Sequence, residues 1–188
     1  MIHKTIYDGL FKEKNLIIDS FVMIFSVFFL AILSNIRIPI WPVPITMQTL
    51  GIFAIAFTFG YRRGALSILL YILTGIFGVA VFSGYKSGIS AIMGPTGGYI
   101  IGFLAMVLVV GYMVEKGMGR NIKSVILVLF IGQSVLYLFG LMGLWMYLNV
   151  GILEILKLGL FPFLIGDVIK AILAVSIFPA TFRSLNNH

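Results

Sequence analysis

Phe161-Pro-Phe-Leu-Ile-Gly-Asp-Val-Ile-Lys-Ala171 places a carboxylate and an ammonium group, Asp167 and Lys170, inside an apolar stretch that continues to about Phe178. Residues three apart share one face of a helix, so the two charges can reach each other or one common ligand. The stretch is long enough to span a bilayer, where a charged residue is costly and generally faces the interior of a helix bundle. Such a pair is typical of a substrate or ion site, and a purely structural pair is the alternative.

The composition of the whole chain is that of a membrane protein. Of its 188 residues, 61% are hydrophobic and 10% are charged, and the mean hydropathy is +1.14. Soluble domains carry about 25% charged residues. Between Leu16 and Phe182 no segment resembles a water-soluble domain. The formal net charge of +7 therefore bears on membrane topology, and no nucleic-acid partner is predicted.

Hydropathy predicts an all-α protein with six transmembrane helices in one compact bundle, each near the roughly 20 residues that a bilayer requires. The predicted spans are residues 16–34, 45–60, 65–82, 97–114, 125–147 and 161–178. They lie in a transmembrane domain of residues 16–182, preceded by a polar N-terminal tail (1–15) and followed by a short C-terminal tail (183–188).

The distribution of positive charge predicts the orientation of the bundle. Nine of the 13 Lys and Arg residues lie on the side that carries the N-terminus, whereas Arg37, Lys86 and Lys157 lie on the other side. Positive charge is enriched in cytoplasmic loops, so both termini are predicted to be cytoplasmic. The protein is accordingly expected to be a multi-pass protein of the plasma or inner membrane, surrounded by membrane lipid. The three loops on the opposite side would meet a ligand from outside.

The first of these external loops, residues 35–48, is apolar and contains three prolines, Pro39, Pro42 and Pro44. Proline excludes a regular helix and favours an extended path. Irregular apolar backbone is tolerated at membrane depth where it lines a cavity within the protein. The loop is therefore predicted to fold into the mouth of the bundle. Trp41, within it, is equally compatible with an interfacial anchor.

The second external loop ends in Gly94-Pro-Thr-Gly-Gly98 and leads into the fourth helix. Glycine permits a close approach of the backbone, and the free N–H groups at the start of a helix can receive a ligand oxygen. Gly98 and Gly102 also form a small-xxx-small pair, which is more typical of helix–helix contact. The third loop, residues 153–160, is predicted to be a short interfacial helix.

Several kinds of chemistry are not expected from this chain. It contains no Gly-x4-Gly-Lys-[Ser/Thr] loop, so we do not expect it to bind ATP in the usual way. It has no cysteine, and its two histidines, His3 and His188, lie at the termini. Ser–His catalysis and metal clusters are therefore not predicted, and neither is a cofactor. An intramembrane enzyme that uses Asp167 and Lys170 remains an alternative.

Three motifs occur in order between about residues 35 and 174: Pro42-Val-Pro-Ile-Thr-Met-Gln-Thr-Leu-Gly51, Gly94-Pro-Thr-Gly-Gly-Tyr-Ile-Ile-Gly-Phe103 and Gly166-Asp-Val-Ile-Lys170. Together they resemble the BioY family, the biotin-specific S components of energy-coupling factor (ECF) transporters. The resemblance implies a non-enzymatic protein that captures biotin from outside with high affinity. It also implies a transmembrane coupling subunit and two cytoplasmic ATPases as partners, although some members work alone or as homo-oligomers. An S component for thiamin or riboflavin is the alternative.

The resemblance and the chemistry of biotin together suggest roles for the polar residues. Asp167 is expected to accept the ureido N–H bonds, while Lys170 keeps Asp167 ionised and donates to the ureido oxygen. Such charge-assisted bonds are stronger than neutral ones. Gln48 is expected near the same ring. The valerate carboxylate is expected to meet Lys86, with Arg37 as the second choice.

Aromatic and glycine residues complete the predicted site. Trp41, Tyr85 and Tyr99 are candidates for packing against the bicyclic body of biotin, because the thiophane ring is apolar. Gly94 and Gly98 are candidates for a close backbone approach to the ligand.

Overall fold

The structure is a computed structural model that describes residues 5–10 and 16–186, so the remaining parts of the predicted tails lie outside the described residues. Two short strands form an antiparallel ribbon in which Arg37 pairs with Thr46 and Ile38 with Ile45. In chain order the elements are α1 (Ile6–Leu10), α2 (Leu16–Asn35), β1 (Arg37–Ile38), β2 (Ile45–Thr46), α3 (Gln48–Ile76), α4 (Ile89–Ile92), α5 (Gly97–Glu115), α6 (Ile122–Leu148), α7 (Ile152–Gly159) and α8 (Phe161–Asn186).

Within the described residues, five helical stretches are long and apolar enough to cross a membrane: α2, α3, α5, α6 and the stretch Ile152–Leu185 that contains α7 and most of α8. This confirms the prediction of a predominantly α-helical protein with several membrane spans. The number differs from the six predicted spans because most of the second and most of the third lie in the one helix α3.

α3 is a helical hairpin that reverses direction at Gly60, where φ is 72° and ψ is −166°. Gln48 Nε2 lies 2.9 Å from the Tyr71 hydroxyl, although 23 residues of straight helix would separate them by about 35 Å. A Cβ atom added to Gly64 would lie 3.6 Å from Ile55 Cγ2. Residues 48–59 and 61–76 therefore form two antiparallel arms that pack against each other.

The reversal requires glycine for two reasons. A residue with a side chain rarely adopts the backbone conformation of Gly60. A Cβ atom at this position would also overlap the Glu115 carboxylate and lie 3.0 Å from Thr5 Cγ2. That carboxylate accepts a hydrogen bond from the backbone N–H of Tyr61 at 3.1 Å. Because the N–H groups at the start of a helix lack partners within it, the end of α5 caps the second arm of α3.

α5 and α6 approach closely through small residues. A Cβ atom added to Gly98 would lie 2.8 Å from Gly143 Cα, and one added to Gly102 would lie 3.0 Å from Leu136 Cδ1. The predicted small-xxx-small contact is therefore confirmed. The close contact leaves no room for a ligand against Gly98 on this face of α5.

The described part of the predicted N-terminal tail is packed against the bundle. Thr5 and Tyr7 are buried. The Tyr7 hydroxyl donates to Asp19 Oδ1 at 2.6 Å. Arg63 Nε donates to the same oxygen at 3.1 Å, and its Nη1 lies 3.5 Å from Asp8 Oδ1. These contacts attach α1 to α2 and to the second arm of α3.

Near the C-terminus, α7 matches the predicted short helix, whereas α8 is longer than the predicted sixth span. α7 is a short helix in the third loop, as the sequence predicts. α8 passes through Pro179 and continues to Asn186, with Phe182 buried, so it includes most of the segment predicted as a C-terminal tail.

Gly60→Ala is expected to lower the midpoint of thermal unfolding in detergent, because strained backbone costs about 1–3 kcal/mol and the new Cβ would also overlap Glu115. Gly151→Ala is the control, since its φ is negative and its Cβ would meet nothing within 4 Å. Gly78→Ala, with φ of +101° and equally open surroundings, isolates the backbone strain. Equal midpoints for Gly60→Ala and Gly151→Ala would contradict the proposed role of Gly60.

Candidate functional site

A cavity lies at one end of the bundle, which we call the loop end because segments 36–47 and 77–96 form it. The cavity contains about 620 Å³ of space between atoms, part of it open to solvent, and is bounded by both segments and by α3, α5, α6 and α8. Its polar lining residues are Thr46, Gln48, Thr49, Ser83, Lys86, Thr96, Gln133, Tyr137, Asp167 and Lys170.

Asp167 and Lys170 form an ion pair on one face of α8, with Lys170 Nζ 3.3 Å from Asp167 Oδ1. The other carboxylate oxygen, Oδ2, accepts a hydrogen bond from Gln133 Nε2 at 2.8 Å and another from the Tyr137 hydroxyl. Lys170 is 7% exposed and also donates to Thr49 Oγ1 at 2.9 Å. Donors and acceptors from α3, α6 and α8 thus surround the pair.

The pair retains capacity to bind a ligand. A carboxylate has about four acceptor positions and an ammonium group has three donors. Hydrogen bonds to described residues use three of the positions on Asp167 and two of the donors on Lys170. The site can therefore accept an N–H from a ligand and donate to a ligand oxygen that lies beside it.

Gln48 is held in one orientation at the start of α3. It is 5% exposed; its Nε2 donates to the Tyr71 hydroxyl at 2.9 Å and its Oε1 accepts from Thr46 Oγ1 at 3.1 Å. Tyr71 in turn donates to the carbonyl of Val81 at 3.0 Å. The two arms of α3 and the start of segment 77–96 therefore position this amide at the cavity.

A tight turn at residues 82–86 brings Lys86 to the cavity. The backbone N–H of Phe82 donates to the carbonyl of Lys86 at 3.1 Å. Asn35, the last residue of α2, accepts from the backbone N–H groups of Gly84 at 3.0 Å and Tyr85 at 3.2 Å. The same bonds leave the side chain of Tyr85 outside the cavity.

Ser83 lies in this turn and lines the cavity. Its hydroxyl oxygen is buried and has no hydrogen-bond partner among the residues that the structure describes. A buried polar group without a partner costs about 1–3 kcal/mol. A polar group of a ligand beside Lys86 would remove that cost, so Ser83 and Lys86 together favour a ligand oxygen at this end of the cavity.

Apolar side chains form the walls between these polar groups. The ring of Tyr99 packs against that of Phe163, with 6.1 Å between their centroids, and its hydroxyl donates to the carbonyl of Gly159 at 2.7 Å. The polar end of Tyr99 is thus occupied by α7, while its ring contributes to the wall. The complete apolar lining is Val43, Pro44, Phe82, Tyr99, Ile100, Phe103, Leu136 and Phe163.

The position of Val43 and Pro44 in this wall confirms that the first loop folds into the mouth of the bundle. Val43 is buried, and both residues line the cavity together with Thr46 of β2. A Cβ atom added to Gly166 of α8 would lie 3.3 Å from Ile45 Cγ2. The ribbon therefore packs against α8 at Gly166, next to Asp167.

Five of the residues predicted for the site line this cavity: Gln48, Lys86, Tyr99, Asp167 and Lys170. The others do not. Trp41 and Tyr85 are each 74% exposed, and Arg37 lies in β1 with its guanidinium beside Gly84. Gly94 lines a separate pocket, and Gly98 packs against α6. For the five residues outside the cavity, contact with the ligand stays a prediction that the geometry of the cavity does not support.

Sequence reasoning missed six polar residues of the lining: Thr46, Thr49, Ser83, Thr96, Gln133 and Tyr137. Gln133 was detectable, because a polar side chain within a membrane span is rare and generally faces the bundle interior. Tyr137 lies one helical turn further along the same face. Nothing in the local sequence marks the buried hydroxyl of Ser83.

Comparison with known proteins gives the family. A sequence model of the BioY family matches residues 11–187. The chain belongs to the BioY family.

Similar proteins are described as biotin transporters. The chain is 35% identical over 158 residues to the biotin transporter BioY2 of Lactococcus lactis subsp. cremoris, covering 84% of this chain and 86% of the relative. It is 38% identical over 144 residues to a probable biotin transporter BioY of Pyrococcus horikoshii, covering 77% and 83%. The fold is similar to the crystal structure of the S-component for biotin from an ECF-type ABC transporter, with a TM-score of 0.78, 30% identity and 92% of each chain covered.

Lys170→Met is expected to lower the unfolding midpoint of the ligand-free protein, because it leaves the Asp167 carboxylate without its cation. Breaking a buried ion pair lowers the free energy of unfolding by about 3 kcal/mol. The effect here is expected to be smaller, because the Asp167 side chain is 16% exposed. The double variant Asp167→Asn/Lys170→Met should recover part of the loss. Lys157→Met, on the exposed face of α7, is the control. A double variant no more stable than Lys170→Met would contradict this coupling.

Proposed function

We propose that this protein captures biotin at the outer face of the cell membrane as the S component of an ECF-type vitamin transporter. The observation that carries the proposal is the Asp167–Lys170 pair, which lines a cavity and retains both an acceptor and a donor for a ligand. Membership of the BioY family, whose similar members are described as biotin transporters, supports the same substrate.

The ureido ring of biotin matches the ion pair in its hydrogen-bonding groups. The ring offers two N–H donors and one carbonyl oxygen. Asp167 would accept from one of the N–H groups, and Lys170 would donate to the oxygen while keeping Asp167 ionised. Gln48, held by Thr46 and Tyr71, would contribute a further amide contact. Bonds to charged groups are about twice as strong as neutral ones, which suits tight capture.

The remaining parts of biotin suit the rest of the cavity. The apolar thiophane ring would pack against Tyr99, Phe163 and neighbouring apolar side chains. The valerate carboxylate would reach Lys86, and the Ser83 hydroxyl would donate to it. Ligand binding would thus supply the hydrogen bond that Ser83 lacks among the described residues.

We propose six membrane crossings with both termini in the cytoplasm. The reversal at Gly60 supports two crossings within α3. Five basic residues of the described chain lie in or beside the turns at the end opposite the loop end: Arg62, Arg63, Lys116, Arg120 and Lys123. By the positive-inside rule that end faces the cytoplasm, so the loop end faces outward.

A coupling subunit and two cytoplasmic ATPases are the proposed partners. The similar solved structure is that of the S-component for biotin from an ECF-type ABC transporter, and this description supports further transporter subunits. This chain has no Gly-x4-Gly-Lys-[Ser/Thr] loop of its own. Action alone or as a homo-oligomer is the alternative arrangement.

Two other functions are less well supported. An S component for thiamin or riboflavin would use the same fold with a different ligand, but the similar proteins are described as biotin transporters. An intramembrane enzyme would convert a substrate at Asp167 and Lys170, whereas the similar proteins are described as transporters. We therefore place biotin first.

The proposal is tested by titrating the purified protein in detergent with biotin by calorimetry, with thiamin and riboflavin as controls. Tight, near-stoichiometric heat with biotin alone is the expected result. Heat with another vitamin would keep the fold and change the substrate. A folded protein that responds to none of the three would overturn the proposed function.

Asp167→Asn is expected to weaken biotin binding by roughly 1.5–3 kcal/mol, the worth of a hydrogen bond to a charged group. The dissociation constant should rise about tenfold or more. Glu154→Gln, which neutralises an exposed carboxylate on α7, should leave affinity unchanged. Unchanged affinity in a folded Asp167→Asn variant would remove Asp167 from the site.

Lys86→Ala is expected to weaken the binding of biotin more than that of biotin amide, because the amide has no carboxylate for Lys86 to pair with. Both ligands are titrated against the wild type and the variant, and the two losses are compared. Equal losses would exclude the carboxylate role of Lys86. Lys157→Ala serves as the matched control, since Lys157 is exposed on α7 and does not line the cavity.

A further inference from the structure

A second pocket lies beside the proposed carboxylate end of the biotin site. It contains about 670 Å³ of space between atoms, part of it open to solvent, and its polar lining includes Lys86, Ser87, Ser90, Thr96 and Tyr147. Lys86 and Thr96 also line the biotin cavity. The two spaces are therefore neighbours on either side of these two side chains.

The chemistry of this outer pocket differs from that of the biotin cavity. Its lining includes four hydroxyl groups and one ammonium group, and no carboxylate is among the described residues that line it. Hydroxyl groups both donate and accept hydrogen bonds, and an ammonium group only donates. The pocket therefore suits a polar group that carries acceptor oxygens, and it tolerates a ligand cation through the hydroxyl oxygens.

The outer pocket is open to solvent, because several of the residues that line it are exposed. Lys86, Ser90 and Tyr147 are exposed, so this pocket opens at the surface of the loop end. The ion pair, by contrast, lies against buried side chains of the bundle. A substituent at the valerate end of biotin would therefore extend toward the surface of the loop end.

We propose that this protein also binds biotin whose carboxyl group is joined in an amide to a small polar amine, with the amine part in the outer pocket. The inference rests on the proposed function, because it requires the ureido ring at Asp167 and the valerate end at Lys86. Biotin joined to the side-chain amine of lysine is the probe that fits this chemistry. Its free α-carboxylate can pair with Lys86 in place of the lost valerate charge, and the hydroxyl groups can accept from its ammonium group.

The test compares biotin, biotin amide and biotinyl-lysine in calorimetric titrations of the purified protein. Biotinyl-lysine is expected to bind within about tenfold of biotin and more tightly than biotin amide, because only biotinyl-lysine has a group for the outer pocket. Competition with biotin should show that the two ligands exclude each other from one site.

Two variants locate the amine part. Ser90→Trp, which fills the outer pocket, should raise the dissociation constant of biotinyl-lysine about tenfold or more while leaving that of biotin within about threefold. Ile89→Trp is the matched control, because Ile89 is exposed on the same short helix and does not line the pocket. It should leave both dissociation constants unchanged.

The outcomes separate this inference from the proposed function. If biotin binds and biotinyl-lysine does not, or binds no better than biotin amide, the inference is overturned and the proposed function stands. If Ser90→Trp weakens both ligands equally, or neither, the outer pocket is not where the amine part lies and the inference is again overturned. If the wild type does not bind biotin, the proposed function fails and the inference fails with it.

Discussion

The arrangement of this protein depends on one constraint, the cost of keeping Asp167 and Lys170 inside an apolar bundle. Charges removed from water require both a partner and further hydrogen bonds. These come from Thr49 in α3 and from Gln133 and Tyr137 in α6, so the pair joins three elements around one cavity. The hydrogen bonds to the pair leave one acceptor on Asp167 and one donor on Lys170 available. The residues that stabilise the buried charges therefore also form the candidate binding site.

The reversal of α3 at Gly60 is the second constraint, because it determines which residues meet at the loop end. Gln48 and Tyr71 lie at similar heights in the two arms, and Tyr71 also holds the carbonyl of Val81. Asn35 then fixes the turn that carries Ser83 toward the cavity. Ligand-binding groups far apart in sequence thus reach one site through hydrogen bonds within the bundle, and the turn needs no regular secondary structure of its own.

Much of the fold and part of the site could be predicted, and the particular residues show why. The helical spacing of Asp167 and Lys170 is a local property, and so is the apolar, proline-rich character of the first loop. The direction of Tyr85 is not local, because it follows from hydrogen bonds between the turn and Asn35 at the end of α2. Gly98 likewise fits a ligand contact or a helix contact by sequence, and only the structure shows that it lies against Gly143 of α6.

The sequence by itself determined the membrane class, the approximate positions of the apolar segments and the charged pair on α8, because these depend on composition and on helical periodicity. It also carried the motifs of the BioY family. Only the tertiary structure decided that α1 packs against the bundle through Tyr7, that Gln133 and Tyr137 hold Asp167, and that the buried hydroxyl of Ser83 lines the cavity. These contacts join residues from 12 to 34 positions apart, or depend on how a loop is anchored, and no local pattern specifies them.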